Sequence, residues 1–273
     1  MAGRASIAVV TGASSGIGKA IAEHLAGAGL RVYGSRLPDE PAASIRNEPL
    51  LPLNVDDDVS VAAFVDQVLE RAGRIDVLVN CAGFGIAGAV EDTTVAEAKA
   101  QFETNYFGVH RMCRAVLPTM RRQGAGRIVT VSSIGGLIAL PFQATYSATK
   151  YALEGLMEAL RHEVRPFGIK VTLIEPADFS TGFTAKRRTT DAADRKTSPY
   201  AAAFASALDV ITKDEMGGWE PDAIGRLAVR IVNRRSPRLR YTVGRLDERA
   251  VSWLKRVVPH RVFEPIIGRH YQP

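Results

Sequence analysis

Residues 6–36, SIAVVTGASSGIGKAIAEHLAGAGLRVYGSR, set an apolar run, a glycine-rich turn, a helical pattern and a second apolar run in direct succession. Short runs rich in apolar residues and bounded by glycine read as strands, whereas the 3.6-residue spacing between them reads as a helix. The segment is therefore a βαβ unit. Within it Gly12 permits the tight turn after the first strand, Gly16 leaves bare backbone that a phosphate can approach, and Gly18 lets the helix lie close on the sheet. Amides exposed at the start of the helix then face an anion, which makes Gly12, Ser14, Ser15, Gly16, Ile17 and Gly18 a candidate nucleotide-binding loop.

The alternation continues beyond this unit. Strands are expected at Ile7 to Thr11, Arg31 to Ser35, Leu50 to Asn54, Val77 to Asn80, Arg127 to Ser132, Lys170 to Glu175 and Arg240 to Val243, with helices near 17–28, 59–71, 95–122, 143–166 and 221–233. Strands that alternate with helices specify an α/β fold with a doubly wound parallel sheet of Rossmann type. At 273 residues the whole chain, 1–273, reads as one domain. Residues 180–218 break the rhythm and read as a mobile lid, and residues 249–273 as an amphipathic C-terminal extension in which Pro259 and Pro265 interrupt any long helix.

Chemistry enters with Tyr146 and Lys150 in QATYSATKYALEG, thirteen residues after Ser133. A Tyr and a Lys four apart on a helix stand on one face, separated by a rise of about 6 Å. An isolated phenol ionises near pH 10, so proton transfer near neutrality requires lowering that by roughly 3 units, about 4 kcal/mol, which a neighbouring ammonium can supply.

Six separated motifs occur in an order that resembles the short-chain dehydrogenase/reductase family over nearly the whole chain: TGASSGIG at 11–18, NCAG at 80–83, Asn105 in NYFG, Ser133 in VTVSS, the Tyr146–Lys150 pair, and PADFST at 176–181. In texture the chain is nearest to hydroxysteroid and retinol dehydrogenase-like reductases. The resemblance implies that Tyr146 is the general acid in carbonyl reduction and the base in alcohol oxidation. Ser133 then stabilises the reacting oxygen, Lys150 lowers the Tyr146 pKa and holds the nicotinamide ribose, and Asn105 interrupts its helix and holds a water that relays protons. Pro176, Ala177 and Thr181 are placed at the nicotinamide carboxamide, with Ala177 standing where the family has Gly.

The second strand ends at Ser35 and Arg36, where an acid would accept from two ribose hydroxyls and select NAD, and an Arg would pair with a 2′-phosphate and select NADP. An Arg with no acid beside it points to NADP (NADPH) rather than NAD, although Ser15 stands where many NADP-using relatives carry a second basic residue. Asn54, with Val55, takes the place of an Asp at the adenine, and its amide oxygen can accept the same hydrogen bond. Asn80, Ala82 and Gly83 would shape the cofactor floor. The implied activity is hydride transfer between NADP and a secondary alcohol or ketone on a hydrophobic, steroid-, retinoid- or lipid-like molecule. The rival readings are a catalytically silent NADP-binding sensor or scaffold, against which the filled catalytic positions argue, and a basic nucleic-acid or membrane-surface adaptor that merely keeps the fold, which salt-dependent polyanion binding without turnover would support.

Composition narrows the remainder. A hydrophobic content of 46% suits a globular body, and no apolar stretch has membrane-spanning length. Two cysteines, Cys81 and Cys113, and five scattered histidines offer no metal spacing, so no metal is expected, and with no signal peptide the setting reads as cytoplasmic. The net charge of +6 gathers at residues 186–188 and from Arg226 to Arg269 without a nucleic-acid motif, so no nucleic-acid partner is expected. Apolar positions on the helices carrying Asn105 and Tyr146 suit a homodimer or homotetramer. The C-terminal segment is expected to flank the substrate cleft, with peripheral membrane contact as its alternative.

Overall fold

The computed structural model describes residues 5–194 and 198–271. Seven parallel strands form the central sheet: β1 (Ile7–Val10), β2 (Arg31–Arg36), β3 (Leu51–Pro52), β4 (Val77–Asn80), β5 (Gly126–Val131), β6 (Ile169–Pro176) and β7 (Arg240–Val243). Their order is β7-β6-β5-β4-β1-β2-β3. The chain winds outward in both directions from the boundary between β1 and β4, and a crevice opens there beyond the carboxyl ends of the strands. Registers such as Ala8 with Val32 and Val77, and Val129 with Thr172, bring the ends of β1, β4, β5 and β6 to one edge.

Burial on both faces explains why the strands read as near-continuous apolar runs. Helices α1 (Gly16–Gly27) and α9 (Asp222–Asn233) cover one face through Ile21, Leu25, Ile224 and Leu227. Helices α2 (Asp58–Ala72), α4 (Gly108–Gln123) and α5 (Ala144–Glu163) cover the other through Phe64, Met112, Val116, Leu153 and Met157. Local chemistry sets the helix ends. The Asp57 side chain caps α2, Gly73 closes it in the left-handed region, and a reciprocal Thr94–Glu97 box starts α3 (Val95–Phe102).

The helix expected over 95–122 is interrupted where the sequence places Asn105: α3 passes through a π-helical turn at Glu103–Phe107 before α4 begins. The described residues of 180–218, which are 180–194 and 198–218, form more regular structure than a loop-like lid. They contain α6 (Phe183–Lys186), α7 (Asp191–Asp194) and the sixteen-residue α8 (Ala201–Met216), which buries Phe204, Ala207 and Ile211. The run AAAFASALDVITKDEM has strong helix propensity and a buried stripe at 204, 207 and 211, a period that its polar surroundings mask. Arg188 and Thr189 add a short parallel bridge to Ile86 and Ala87, which stitches this segment to the body. At the C-terminus α10 (Leu246–Val257) ends before Pro259 as expected, whereas α11 (His260–Tyr271) runs through Pro265. There Pro265 forfeits one backbone bond on an exposed turn, while Phe263 two residues earlier is buried.

Gly18 carries the tightest fit in the glycine-rich loop: a Cβ there would lie 2.1 Å from the Gly12 carbonyl oxygen. Gly18→Ala is expected to destabilise the protein by about 2 kcal/mol or more through overpacking against backbone that cannot yield. A thermal melt beside the parent checks this, and an unchanged midpoint contradicts it.

Candidate active site

Beyond the strand ends lies a cavity of about 710 Å³. Its first wall is the loop between β1 and α1. Gly12 (φ +66) and Gly16 (φ +54) adopt the left-handed conformation that a side chain would strain, and Gly12 N–H donates to Ser35 Oγ at 3.0 Å. Ser15 is the N-cap of α1 but makes no side-chain cap bond, and no acidic residue occupies the first turn. The helix start therefore points open amides and the positive end of its dipole at the cavity, a fit for an anionic pyrophosphate.

The expected catalytic side chains gather deeper in. Ser133 follows β5, and its Oγ accepts from Gly135 N–H at 3.0 Å and hydrogen-bonds Tyr146. Its neighbour Ser132 also lines the cavity, but the Ser132 hydroxyl is buried without a partner among the described residues. Lys150 stands one turn along α5 from Tyr146, with its Nζ 5.6 Å from the Tyr146 ring centroid and donating to Val131 O at 3.1 Å. Asn105 is buried in the π-helical turn and does not line the cavity. Its Oδ1 accepts from Phe84 N–H at 3.0 Å, and its Nδ2 donates to Phe84 O at 2.9 Å and to Thr149 Oγ1 at 3.2 Å. The side chain is spent on protein partners, so a water at this position would have to be held by the backbone.

One expectation reverses. Lys150 was expected to lower the Tyr146 pKa, but burial lifts the phenol to about 12; the Ser133 bond opposes the rise and the charges of Glu215 and Asp178 add to it. Burial likewise pushes Lys150 down to about 8 against the pull of Cys81 and Glu154. Desolvation is the largest contribution to the phenol, and the Lys150 ammonium, which lies over the ring, is not among the main charges that act on it.

A family profile described as short chain dehydrogenase matches residues 6–192. The chain belongs to the short-chain dehydrogenase family. A 3-ketodihydrosphingosine reductase of Bacteroides thetaiotaomicron is 44% identical over 253 residues, covering 91% of this chain and 93% of that protein. A short-chain dehydrogenase from Streptomyces avermitilis superposes with a TM-score of 0.81 at 34% identity, covering 98% and 97% of the two chains. A family member from Burkholderia phymatum, solved in complex with NAD, gives 0.75 at 25% identity and covers 86% and 88%. These likenesses make the chain an oxidoreductase of the short-chain dehydrogenase family, whose solved members bind nicotinamide cofactors.

Within this dehydrogenase Ser14, Ile17, Ser35, Arg36, Asn54, Val55, Ala82, Gly83, Pro176, Ala177 and Thr181 are brought together along the cavity wall. Asn54 Oδ1 already accepts from Asp56 N–H at 3.1 Å, which leaves its second lone pair for a ligand. Asn80 is a correction. It is buried and donates to Thr130 Oγ1 at 3.1 Å, because it shares the Leu78 face of β4 toward α4, and Cys81 lines the cavity in its place. Ala177 in the Gly position is accommodated because Gly244, at φ +150, leaves room: a Cβ on Gly244 would lie 2.4 Å from the Ala177 Cβ.

Three cavity residues escaped the sequence reading. Glu40 folds back to the end of β2, so an acid stands near Arg36 in space although none adjoins it in sequence. Arg36 Nη1 donates to the carbonyls of Leu37, Pro38 and Glu40. Burial works against the Glu40 charge, but bonds from Ser14, Leu37 N–H and Lys186 outweigh it and hold the carboxyl below its usual range. Lys186 on α6 reaches Ser15 Oγ at 3.2 Å and Glu40 at 3.7 Å. Asp178, inside PADFST, has no side-chain hydrogen bond among the described residues, and burial followed by the charges of Glu248, Asp214 and Glu215 pushes it to about 7.

The lysine shift carries a sign. Between about pH 8 and 10.5 the unfolded chain keeps a proton that folded Lys150 has released, so stability rises with pH across that window. Denaturant titrations of the parent at pH 7, 8.5 and 10 should show this rise relative to Lys150→Met, which lacks the group. Parallel curves for the two proteins would contradict the shift.

Proposed function

We propose that this chain is an NADPH-dependent reductase whose substrate is a long-chain ketone bearing an amine beside the carbonyl, of the 3-ketodihydrosphingosine kind. The observation that carries the reading is the cavity-lining Asp178 carboxylate, without a hydrogen-bond partner among the described residues and close enough to Tyr146 to raise its pKa. Its neighbours are already engaged: Glu215 pairs with Arg187 and accepts from Thr184 Oγ1 at 2.5 Å, and Asp214 pairs with His270 at 2.8 Å. Arg245 is the one cation named among the charges acting on Asp178, against three carboxylates, so an ammonium on the substrate adds the counter-charge that is short there, and the 44% identical protein is a 3-ketodihydrosphingosine reductase, named for a ketone with a neighbouring amine. Phe84, Ile134, Leu140, Phe179, Phe183 and Ile211 supply apolar wall for the alkyl chain.

The cofactor, when bound, supplies the hydride. The chain's own residues manage the oxygen and its proton. Ser133 and Tyr146 present two hydroxyls to the carbonyl oxygen: Tyr146 gives up its proton to that oxygen as the alcohol forms, and Ser133 stabilises the charge that develops. A phenol held near 12 is fully protonated at neutral pH, which suits the reductive direction. The ammonium that settles against Asp178 also relieves the repulsion felt by the departing tyrosinate. Lys150, on the same face, offers its ammonium to the nicotinamide ribose, and Phe183 closes over the Tyr146 ring at 5.8 Å between centroids.

The preference for NADPH rests on charge at the end of β2. Arg36 and Lys186 bring two cations to the cavity rim against the single carboxylate of Glu40, a net attraction for a 2′-phosphate. Fluorescence titration should show tighter binding of NADPH than NADH. Lys186→Ala should weaken NADPH a few-fold, as expected for an exposed pair, and leave NADH nearly unchanged, whereas Glu40→Gln should strengthen NADPH. Equal affinities of the parent for the two cofactors would overturn this assignment.

Turnover tests the rest. Consumption of NADPH with 3-ketodihydrosphingosine should fall by 10²-fold or more in Tyr146→Phe while cofactor affinity is kept. Asp178→Asn should raise KM for the amino ketone by about tenfold, the size of a charge-assisted hydrogen bond, and leave KM for the same ketone without its amine unchanged. A parent that reduces the two ketones equally well would sink the amine reading and spare the reductase.

A further inference from the structure

We propose that the outer faces of α10 and α11 form a docking surface for an anionic lipid bilayer. Each helix is two-sided in an unusual sense. Inward, Phe263 and Ser252 are buried, Lys255 Nζ donates to Leu137 O at 2.7 Å, and Tyr271 lines the cavity. Outward, where a solvated helix would carry polar groups, α10 presents Leu246, Trp253 and Val257 at 78%, 62% and 55% exposure. Positions 246, 250, 253 and 257 recur at four, three and four residues, so they form one stripe with Ala250 between them. Helix α11 continues the pattern with Val262 and Ile266, one turn apart and both exposed.

Charge selects the occupant. From Arg245 to Tyr271 the chain carries six Arg or Lys against three Asp or Glu. Arg249, Arg261 and Arg269 are exposed and pair with no acid among the described residues. Aliphatic and Trp side chains flanked by guanidinium groups complement an anionic headgroup layer over an acyl boundary. A second copy of the chain fits less well, because a two-fold interface sets the same patch against itself and would bring these unpaired cations together.

The position of the surface gives it a use. Tyr271 lines the cavity, and its neighbour His270 pairs with Asp214 on the cavity wall, so α11 carries both an outward apolar face and a piece of the substrate chamber. A protein seated on a bilayer through α10 and α11 holds its cavity against the phase in which a long-chain lipid resides. The docking surface goes beyond the substrate reading and stands without it, since it is read from vesicle binding alone.

Sedimentation of the full chain with vesicles tests it. The protein should co-sediment with phosphatidylcholine vesicles that contain phosphatidylserine, stay in the supernatant with phosphatidylcholine alone, and lose binding as salt is raised. Trp253→Ser combined with Ile266→Ser should reduce the bound fraction at least tenfold, and Arg249→Glu combined with Arg261→Glu should do the same. Both double variants should keep the parent's affinity for nicotinamide cofactor, which shows that they fold. The proposal is overturned if the parent ignores anionic vesicles or if both folded variants sediment as the parent does. It is also overturned if Trp253→Ser splits a stable dimer of a parent that binds no vesicles.

Discussion

The carboxamide of Asn105 is the joint on which the rest of the site hangs. It is buried in the π-helical turn, it brackets the Phe84 backbone with both of its polar atoms, and it donates to Thr149, whose hydroxyl in turn donates to the Tyr146 carbonyl at 2.7 Å. Three segments distant in sequence are thereby held in one geometry: the exit of β4, the α3–α4 passage and the helix that bears Tyr146 and Lys150. A buried amide that satisfies so many partners fixes positions because each broken bond would strand a polar group away from water. The π-helical turn, costly in itself, is what aims Asn105 at both neighbours.

Around that joint the electrostatics run against the simplest expectation for a Tyr–Lys pair. Desolvation dominates both groups, so the phenol is held protonated and the ammonium is held loosely. A site with this bias keeps the proton on Tyr146, and the carboxylates of Asp178 and Glu215 sharpen the bias. In the function proposed above, the charge of the substrate and the transfer of that proton become parts of one balance.

Much of this was legible in the sequence. The periods place all seven strands of the sheet within a residue or two, because both faces of the sheet are buried and the pattern is strong, whereas the helix expected to reach 166 ends at Glu163. The loop glycines, Ser133, Tyr146 and Lys150 were legible because chemistry and backbone geometry demand those residue types. Glu40 and Lys186 were not, since each acts through a fold-back or a crossing that no local spacing encodes: Lys186 reads in sequence as one cation of a solvated basic run. Asn80 misled because a strand of four residues gives no independent sign of which face its last side chain takes. Helix α8 hid behind the expectation of a lid, although its buried stripe is present in the residues.

The fit of Ala177 against Gly244 reaches beyond the site in which it was observed. The methyl group of one residue occupies the volume that the other vacates, though 67 positions separate them, as the sequence numbers show (244 − 177). A side chain at 244 would meet the Ala177 methyl group, the Glu248 carboxylate and a positive φ at once. A glycine at 177 would remove only the first of these, so the dependence runs one way: 177 can lose its methyl group freely, whereas 244 stays glycine in any descendant that keeps this backbone.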